Sequence, residues 1–181
     1  MQQERGFTLI ELMIAIGLTG MLLSMAVPAL DLFVSNARQT GAVNDFVSSM
    51  HIARSTAVST NSRVTVCASA SGTNCEAVSW DQGWIVFSDT DSDQLVDADE
   101  TIVSTGAGVD GLDIQSAEFG ASMTYRPTGR VMNASVNGSA GQFTVCDGRG
   151  SDRAKVLIVE LSGRPRSSKY LIDGSAPSCG S

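Results

Sequence analysis

The sequence RGFTLIELMIAIGLTGMLLSMAVPAL, residues 5–30, forms a long apolar run near the start of the chain. Between positions 7 and 30 the only ionisable side chain is that of Glu11. The run is longer than the ~20 apolar residues that an α-helix needs to cross the hydrocarbon core of a bilayer. A carboxylate in such a helix costs about 2.5–3.5 kcal/mol on insertion scales. The sequence therefore predicts a membrane helix in which Glu11 has a function and needs a partner.

A secretory signal peptide is the alternative interpretation of this stretch. Arg5 supplies a positive start, and the small residues of SMA at 24–26 resemble a cleavage site. However, the apolar run exceeds the usual ~7–15 residues of a signal peptide. Glu11 would also interrupt its apolar region, so a retained helix is the better interpretation.

The sequence GFTLIELMIAIGL, residues 6–18, resembles the class III prepilin signal of type IV pilins and pseudopilins. The resemblance rests on Gly6, Phe7 and Glu11, followed by an uninterrupted apolar helix. In that family a prepilin peptidase in the membrane cuts after the glycine and methylates the new N-terminal phenylalanine. The resemblance implies that residues 1–6 are a leader peptide and that Phe7 becomes the mature N-terminus.

Cleavage of this kind would supply the partner that Glu11 needs. The new ammonium of Phe7 would lie four residues, or about 6 Å of helix, from Glu11. The same ammonium on a neighbouring subunit can pair with the carboxylate, which removes two exposed charges from apolar surroundings. We therefore expect Glu11 to be the assembly residue that sets the register between this chain and other minor and major pilins.

Helical periodicity continues beyond the apolar stretch. Apolar residues recur at spacings of three and four, as expected for a helix with one buried face; they are Val43, Phe46, Val47, Met50, Ala53 and Ala57. The pattern predicts one helix from about Phe7 to Ser59, with a kink at Pro28. Its parts are a transmembrane and assembly segment at 7–30 and an amphipathic segment at 31–60.

Residues 61–181 change to short β-rich runs separated by Gly, Asn, Ser and Asp. The predicted strands are 63–69, 83–89, 100–104, 111–116, 122–127, 142–147, 155–162 and 169–173. No helical pattern alternates with them, which favours antiparallel pairing. The expected fold is α+β and type IV pilin-like, with a long N-terminal helix packed on an antiparallel β-sheet or β-sandwich domain.

Four cysteines, Cys67, Cys75, Cys146 and Cys179, admit three pairings. Cys67 and Cys75 flank a predicted turn, so a local bridge is natural there. A bridge from Cys146 to Cys179 would hold the C-terminal tail. Such bridges indicate an oxidising compartment such as the periplasm.

Neither catalysis nor a zinc site is predicted. The single histidine, His51, falls on the predicted helix, and the sequence contains no CxxC pair. No nucleophile and base form a recognisable pair. We therefore expect a protein that is not an enzyme, with no cofactor unless the acidic loop described next binds calcium.

The acidic segment DTDSDQLVDADE, residues 89–100, has the spacing of an EF-hand calcium loop. The oxygen ligands would come from Asp89, Asp91, Asp93, Asp97 and Glu100. Gln94 replaces the usual glycine, and the preceding element is a predicted strand rather than a helix. A solvated acidic hairpin is the alternative, because Asp-rich turns are common.

Charge separates this segment from the end of the chain. Residues 64–125 contain no Lys or Arg, whereas basic side chains outnumber acidic ones from 126 onward. In SGRPRSSKY, residues 162–170, Gly163 predicts a turn that displays Arg164, Arg166 and Lys169. Arginine forks suit phosphates, although a solvated turn with three charges is the simpler interpretation.

The segments WDQGWIVFSD, YRPTGR, FTVCDGRG and VELSGRPR resemble the FimT/FimU group of minor pilins, within the GspH/FimT pseudopilin family. In FimT-type members a C-terminal GRxR motif is implicated in binding DNA during natural transformation. Here the motif maps onto residues 163–166, which makes Arg164 and Arg166 candidate DNA contacts with Lys169, Arg149 and Arg153 as neighbours. FimU-type members carry similar tails but act mainly in priming the pilus.

The resemblance implies a minor pilin at or near the tip of a type IV pilus, with double-stranded DNA as a candidate partner. It also implies a single-pass precursor in the inner membrane of a Gram-negative bacterium, which then joins a periplasm-spanning or cell-surface pilus. The alternative is a GspH-like minor pseudopilin of a type II secretion system, which contacts protein partners rather than DNA.

Overall fold

The computed structural model describes residues 7–133, 138 and 140–180. The leader 1–6, with Gly6, lies outside the described residues. One long helix, α1, runs over Leu9–Thr60. The predicted helix, from about Phe7 to Ser59, is confirmed to within two residues at each end. The chain divides into two compact units, residues 1–38 and 39–181, and α1 contributes to both.

The second unit contains two antiparallel sheets. The first has the order β3-β2-β1-β5-β6 and the second has the order β4-β7-β8-β9. The strands are β1 (Val64–Ala68), β2 (Gly83–Ser88), β3 (Ile102–Ala107), β4 (Leu112–Gln115), β5 (Ser122–Tyr125), β6 (Val131–Asn133), β7 (Gly141–Asp147), β8 (Lys155–Val159) and β9 (Pro165–Ser168). Every neighbouring pair is antiparallel, which confirms the α+β prediction.

Phe46 joins the helix to both sheets in the core. Its ring centroid lies 4.8 Å from that of Trp84 on β2 and 4.8 Å from that of Phe143 on β7. The helical face predicted from the sequence is the one that packs here: Val43, Phe46, Met50, Ala53 and Ala57 are buried, and Val47 is partly buried against them. The period of 3.6 residues places these side chains on one stripe, so burying them holds the helix on the sheets.

Two polar side chains of α1 also fix this packing. The amide of Gln39, which is buried, donates to the backbone carbonyls of Val145 and Arg153 at 3.1 and 3.0 Å. The hydroxyl of Ser49 accepts a hydrogen bond of 2.9 Å from the indole of Trp84. Because these groups are satisfied, they set the position of the helix without the cost of an unpaired buried polar group.

A second, smaller cluster covers the other face of the first sheet. Cys67, Ile85 and Phe87 are buried there, and Val96 from the acidic segment packs against them. The Cys67–Cys75 disulfide lies in this cluster, and Cys146–Cys179 ties the C-terminal tail to β7. Both bridges are the pairings that the cysteine spacing favours.

The end of the chain differs from the sequence prediction. Residues 169–173 were expected to form a strand, and this prediction is wrong: the edge strand is β9 at Pro165–Ser168. The Ser168 hydroxyl donates to the carbonyl of Tyr170 and accepts from its N–H, which turns the chain away from the sheet. The short strand β6 gave no signal in the sequence. Both errors concern short edge strands, where pairing with a neighbour outweighs local β-propensity.

Candidate functional site

The start of α1 is a capping box built by Thr8 and Glu11. Glu11 Oε2 accepts from the backbone N–H of Thr8 at 3.0 Å and from its hydroxyl at 2.9 Å. In return, the N–H of Glu11 donates to the Thr8 hydroxyl at 3.3 Å. This is the T-x-x-E arrangement that satisfies free N–H groups at a helix start. Glu11 therefore has a partner within its own chain as well as the one expected on another subunit.

The first unit of the chain presents an apolar surface. Phe7, next to the predicted cleavage point, is 89% exposed, and the described Leu, Ile and Met side chains that follow are also exposed. Among the described residues, no helix combines the length and the apolar character that crossing a bilayer requires. The transmembrane assignment of residues 7–30 stays a prediction.

The basic loop, residues 162–170, begins at a turn that is in close contact with a second turn around Gly129. Gly163 has a φ of 75°, and a Cβ at this position would lie 2.1 Å from the carbonyl oxygen of Gly129. Arg54 from α1 holds both turns, since its Nε donates to the carbonyls of Gly129 at 3.1 Å and Ser162 at 3.3 Å. Only glycine allows this approach, so the first residue of the GRxR motif has a structural role.

Arg164 and Arg166 follow from this turn onto the edge of the second sheet. Arg164 is exposed, and Arg166 on β9 is exposed and paired with Glu160 at 3.3 Å. An exposed ion pair of this kind contributes little to stability. The Arg166 guanidinium can therefore exchange Glu160 for a phosphate at small cost.

The other predicted basic neighbours lie at the opposite end of β8 and β9. Lys169 follows the last residue of β9, whereas Arg149 and Arg153 belong to the connection between β7 and β8. Arg149 forms an ion pair with Asp147, and this hydrogen-bonded guanidinium lowers the pKa of the Asp147 carboxyl. Arg149 thus has a structural partner. About 16 Å of extended chain separates Arg164 from Lys169.

Arg126 and Arg130, which the sequence did not single out, lie near the residues that precede Arg164. Arg126 and Arg130 line a small cavity of about 320 Å³ together with Leu161. Arg130 also borders Ser162, the second residue before Arg164, in a neighbouring cavity. Both arginines are exposed. Their spacing from the GRxR motif along the chain concealed this proximity, which the tertiary structure creates.

The acidic segment folds so that three carboxylates converge. One carboxylate oxygen each of Asp89, Asp91 and Asp93 lies within 4.8 Å of the other two. Asp89 is buried, whereas Asp91 and Asp93 are exposed. Gln94 has a φ of 66°, so it adopts the left-handed conformation that an EF-hand loop reserves for glycine.

The other two predicted calcium ligands, Asp97 and Glu100, do not belong to this cluster of three carboxylates. Glu100 accepts from the N–H of Thr90 at 2.8 Å and from the N–H of Asp97 at 3.3 Å, so its two oxygens hold the ends of the segment together. Asp97 is exposed, and repulsion from the nearby charge of Asp93 raises the pKa of its carboxyl. Glu100 therefore stabilises the closed conformation of the loop through these hydrogen bonds.

Sequence reasoning missed Thr8 and Arg54 as positioning residues. The T-x-x-E spacing of Thr8 and Glu11 was a readable signal. Arg54 gave none, because its partners are backbone carbonyls 75 and 108 residues away along the chain.

A long N-terminal helix whose second part packs on antiparallel sheets defines the chain as a type IV pilin-like protein. The family model described as "Type II transport protein GspH" matches residues 42–163, and the chain therefore belongs to the GspH family. The "Prokaryotic N-terminal methylation motif" matches residues 1–27, which include Gly6, Phe7 and Glu11. The resemblance found in the sequence is confirmed.

Solved structures with this fold include two crystal forms of the type IV minor pilin FimU from Pseudomonas aeruginosa. In space group P21 the TM-score is 0.58 at 18% identity, covering 82% of this chain and 99% of FimU. In space group P65 the TM-score is 0.56 at 18% identity, covering 78% and 99%. At this identity the similarity establishes the fold. No curated protein sequence matches the chain.

The chain is thus a type IV minor pilin or a GspH-like pseudopilin. Proteins of this family and fold are structural components, and the chain is not an enzyme. The methylation motif associates it with the membrane, with other pilins and with the prepilin peptidase.

Proposed function

We propose that the chain is a minor pilin incorporated at or near the tip of a type IV pilus, where Glu11 docks it onto the N-terminus of another pilin. The observation that carries the proposal is the carboxylate of Glu11 at the start of a helix whose other side chains, from 7 to 30, are uncharged. Before assembly the same helix anchors the precursor in the inner membrane. The methylation motif at residues 1–27 supports this order of events.

The capping box is compatible with docking. Within the described residues, both contacts of Glu11 with the Thr8 donors use Oε2. Oε1 is therefore available to an ammonium from a neighbouring subunit. Thr8 orients the carboxylate, and the pairing of two opposite charges in apolar surroundings then supplies the assembly energy.

The substitution Glu11→Gln separates docking from capping. Glutamine also completes a capping box, so the helix start is kept, whereas the negative charge is lost. We expect Glu11→Gln to reduce the amount of this protein in sheared pilus fractions at least tenfold, because a tenfold loss needs only about 1.4 kcal/mol of docking energy. Quantitative immunoblotting of sheared and membrane fractions measures the effect.

Asp31→Asn is the matched control, since it removes an exposed carboxylate from the same helix. It should leave incorporation unchanged. Normal incorporation of Glu11→Gln would overturn the docking role of the charge. Thr8→Val adds a test of the capping box alone, for which only a modest loss is expected.

We further propose that the loop around Arg164 and Arg166 binds the phosphate backbone of double-stranded DNA. Two features support this: both guanidiniums are exposed, and the Gly163 turn fixes the point from which they project. Arg126 and Arg130 extend the same basic surface. Lys169 and Arg153 provide more distant contacts, whereas Arg149 serves the surface indirectly through its pair with Asp147.

The double variant Arg164→Ala, Arg166→Ala tests this role on full-length protein in detergent. Each phosphate contact adds about 0.9 to the slope of log affinity against log salt concentration. We therefore expect the double variant to bind DNA more weakly and to lower that slope by about 2. Fluorescence anisotropy with a labelled duplex, at several salt concentrations, measures both quantities.

Arg153→Ala, Lys169→Ala is the charge-matched control, because it removes two exposed charges at the other end of β8 and β9. It should have the smaller effect. Equal losses in both double variants would indicate diffuse attraction rather than a loop contact. An unchanged affinity for Arg164→Ala, Arg166→Ala would end the DNA proposal.

A GspH-like pseudopilin of a type II secretion system is the second candidate, favoured by the description of the matching family model. The two functions predict different losses in the host that carries the gene. Deletion should abolish or shorten surface pili if the chain is a minor pilin. Deletion should instead block secretion of folded exoproteins, with pili intact, if it is a pseudopilin.

A further inference from the structure

We propose that the start of the acidic segment binds one Ca²⁺ ion through the carboxylates of Asp89, Asp91 and Asp93. This cation site is independent of the N-terminal helix and of the basic loop. It would make the folded domain more stable in calcium-containing surroundings.

The geometry of the three carboxylates suits a single ion. Calcium binds oxygen ligands at about 2.3–2.6 Å, so two ligands of one ion lie at most about 5 Å apart. The chosen oxygens of Asp89, Asp91 and Asp93 all lie within 4.8 Å of one another. These separations are compatible with one ion placed between the three carboxylates.

Asp89 provides the second, independent observation. Its side chain is fully buried, and its Oδ2 accepts from the hydroxyl of Thr65 on β1. Its Oδ1 is also buried but has no hydrogen-bond donor among the described residues. A buried carboxylate oxygen without a donor is unfavourable, because nothing replaces the water that it loses on folding. A cation held with Asp91 and Asp93 would satisfy it.

No side-chain cation of the described chain takes this place. Asp91 lines an open cleft with a volume of about 760 Å³, and Arg63 and Arg126 line the same cleft. Neither forms an ion pair with an acidic residue of the cluster within the described residues. The cleft instead gives solvent, and hence an ion, access to the exposed carboxylates.

The ligand chemistry favours calcium over other metals. The cluster offers only carboxylate oxygens, which are hard ligands, and it contains no His or Cys. Asp91 and Asp93 are exposed, so waters can complete a coordination shell of six to eight. Calcium accepts such an irregular shell, whereas magnesium requires a nearly ideal octahedron.

Calcium bound at this position would stabilise the whole domain against unfolding. Asp89 directly follows β2 and is held to β1 through Thr65, while Val96 packs on the outer face of the first sheet. The ion would thus join the sheet to the exposed part of the segment. Binding to the folded state alone raises the unfolding temperature in proportion to the logarithm of ligand concentration.

The test is thermal unfolding of the full-length protein in detergent, followed by tryptophan fluorescence, because Trp80 and Trp84 are buried in the core. The additions are CaCl₂, MgCl₂ or EGTA at equal ionic strength. For a dissociation constant of about 0.1 mM, as in extracellular modules, we expect calcium at about 10 mM to raise the midpoint by about 5 °C. Magnesium should give a clearly smaller shift, and calorimetric titration should give one site per chain.

Two double variants distinguish the site from general acidity. Asp91→Asn, Asp93→Asn removes two exposed ligands and should abolish the calcium shift. Asp99→Asn, Asp110→Asn removes the same charge from exposed positions outside the cluster and should retain it. Full retention of the shift by the first pair, or equal shifts with calcium and magnesium, would overturn the proposal.

The single variant Asp89→Asn should affect the unfolding midpoint in one way without calcium and in another way with it. Without calcium it should raise the unfolding midpoint, because it replaces a buried charge by a neutral group that still accepts from Thr65. With calcium it should show no further shift. A lower midpoint in EGTA together with a retained calcium shift would contradict the role given to Asp89.

Discussion

Tyr125 is a core residue whose polar group is buried at an energetic cost. Its side chain is fully buried, and its hydroxyl has no hydrogen-bond partner among the described residues. Burial raises the pKa of the phenol well above its usual range. The neutral hydroxyl is therefore the only form present in the folded protein at physiological pH, and it is an unsatisfied polar group.

Replacing this hydroxyl should not weaken the protein. We expect Tyr125→Phe to leave the free energy of unfolding unchanged or to raise it by about 1 kcal/mol, because the ring packing is kept and an unpaired polar group is removed. Tyr170→Phe, at an exposed position, is the control and should have no effect. Denaturant unfolding measures both, and a loss above about 1 kcal/mol in Tyr125→Phe would reveal a hydrogen bond to the hydroxyl.

Glu11, the proposed docking residue, could be recognised from the sequence alone. Glu11 stands out because an uncharged helical run surrounds it, and its partner Thr8 lies three residues away. The buried Asp89 was readable only as a member of an acidic run. Its contact with Thr65, on a strand distant in sequence, is what distinguishes it from the exposed carboxylates.

At the level of elements, the turn between β8 and β9 depends on one glycine. Gly163 combines a left-handed backbone with a Cβ position 2.1 Å from the carbonyl oxygen of Gly129. Another residue there must accept the strained backbone and also push the two turns apart. Because Arg54 binds both turns, separating them would break its two hydrogen bonds as well.

Gly163→Ala should therefore destabilise the fold by about 3 kcal/mol or more, from backbone strain, a backbone clash and lost hydrogen bonds. Gly174→Ala is the matched control, since Gly174 has a φ of 83° but open space at its Cβ position. It should cost only about 1 kcal/mol, the strain alone. Equal losses in denaturant unfolding would show that the contact between the turns is unimportant.

The elements were predicted to different degrees. Helix α1 was predicted almost to its ends, because its apolar stripe repeats over many turns. The central strands were predicted from their Val, Ile and Phe content. Strand β9 was displaced by several residues and β6 was missed, since each is a short edge strand whose only support is one neighbour.

For the molecule as a whole, the charge pattern follows the two sheets. The first sheet takes four of its strands from the part of the chain without Lys or Arg, and it carries the acidic segment after β2. The second sheet takes β7, β8 and β9 from the basic part. The proposed cation site follows β2 of the first sheet, whereas Arg164 and Arg166 lie just before and on β9 of the second sheet. Substitutions of these two arginines should therefore leave the cation site unchanged.

The sequence was sufficient to infer the family, the long helix with its buried face, the local Cys67–Cys75 bridge and the special position of Glu11, because each depends on neighbouring residues or on a periodic pattern. The Cys146–Cys179 bridge, which joins residues 33 positions apart, was one of several pairings that the sequence allowed, and the structure confirms it. The proximity of Arg126 and Arg130 to the turn before Arg164, by contrast, is visible only in the folded chain, as is the ion pair between Arg149 and Asp147. The absence of a hydrogen-bond donor to the buried Oδ1 of Asp89, among the described residues, is likewise visible only in the folded chain. These features require packing between segments far apart in sequence, where sheet pairing and close backbone contact, rather than local preference, set the distances.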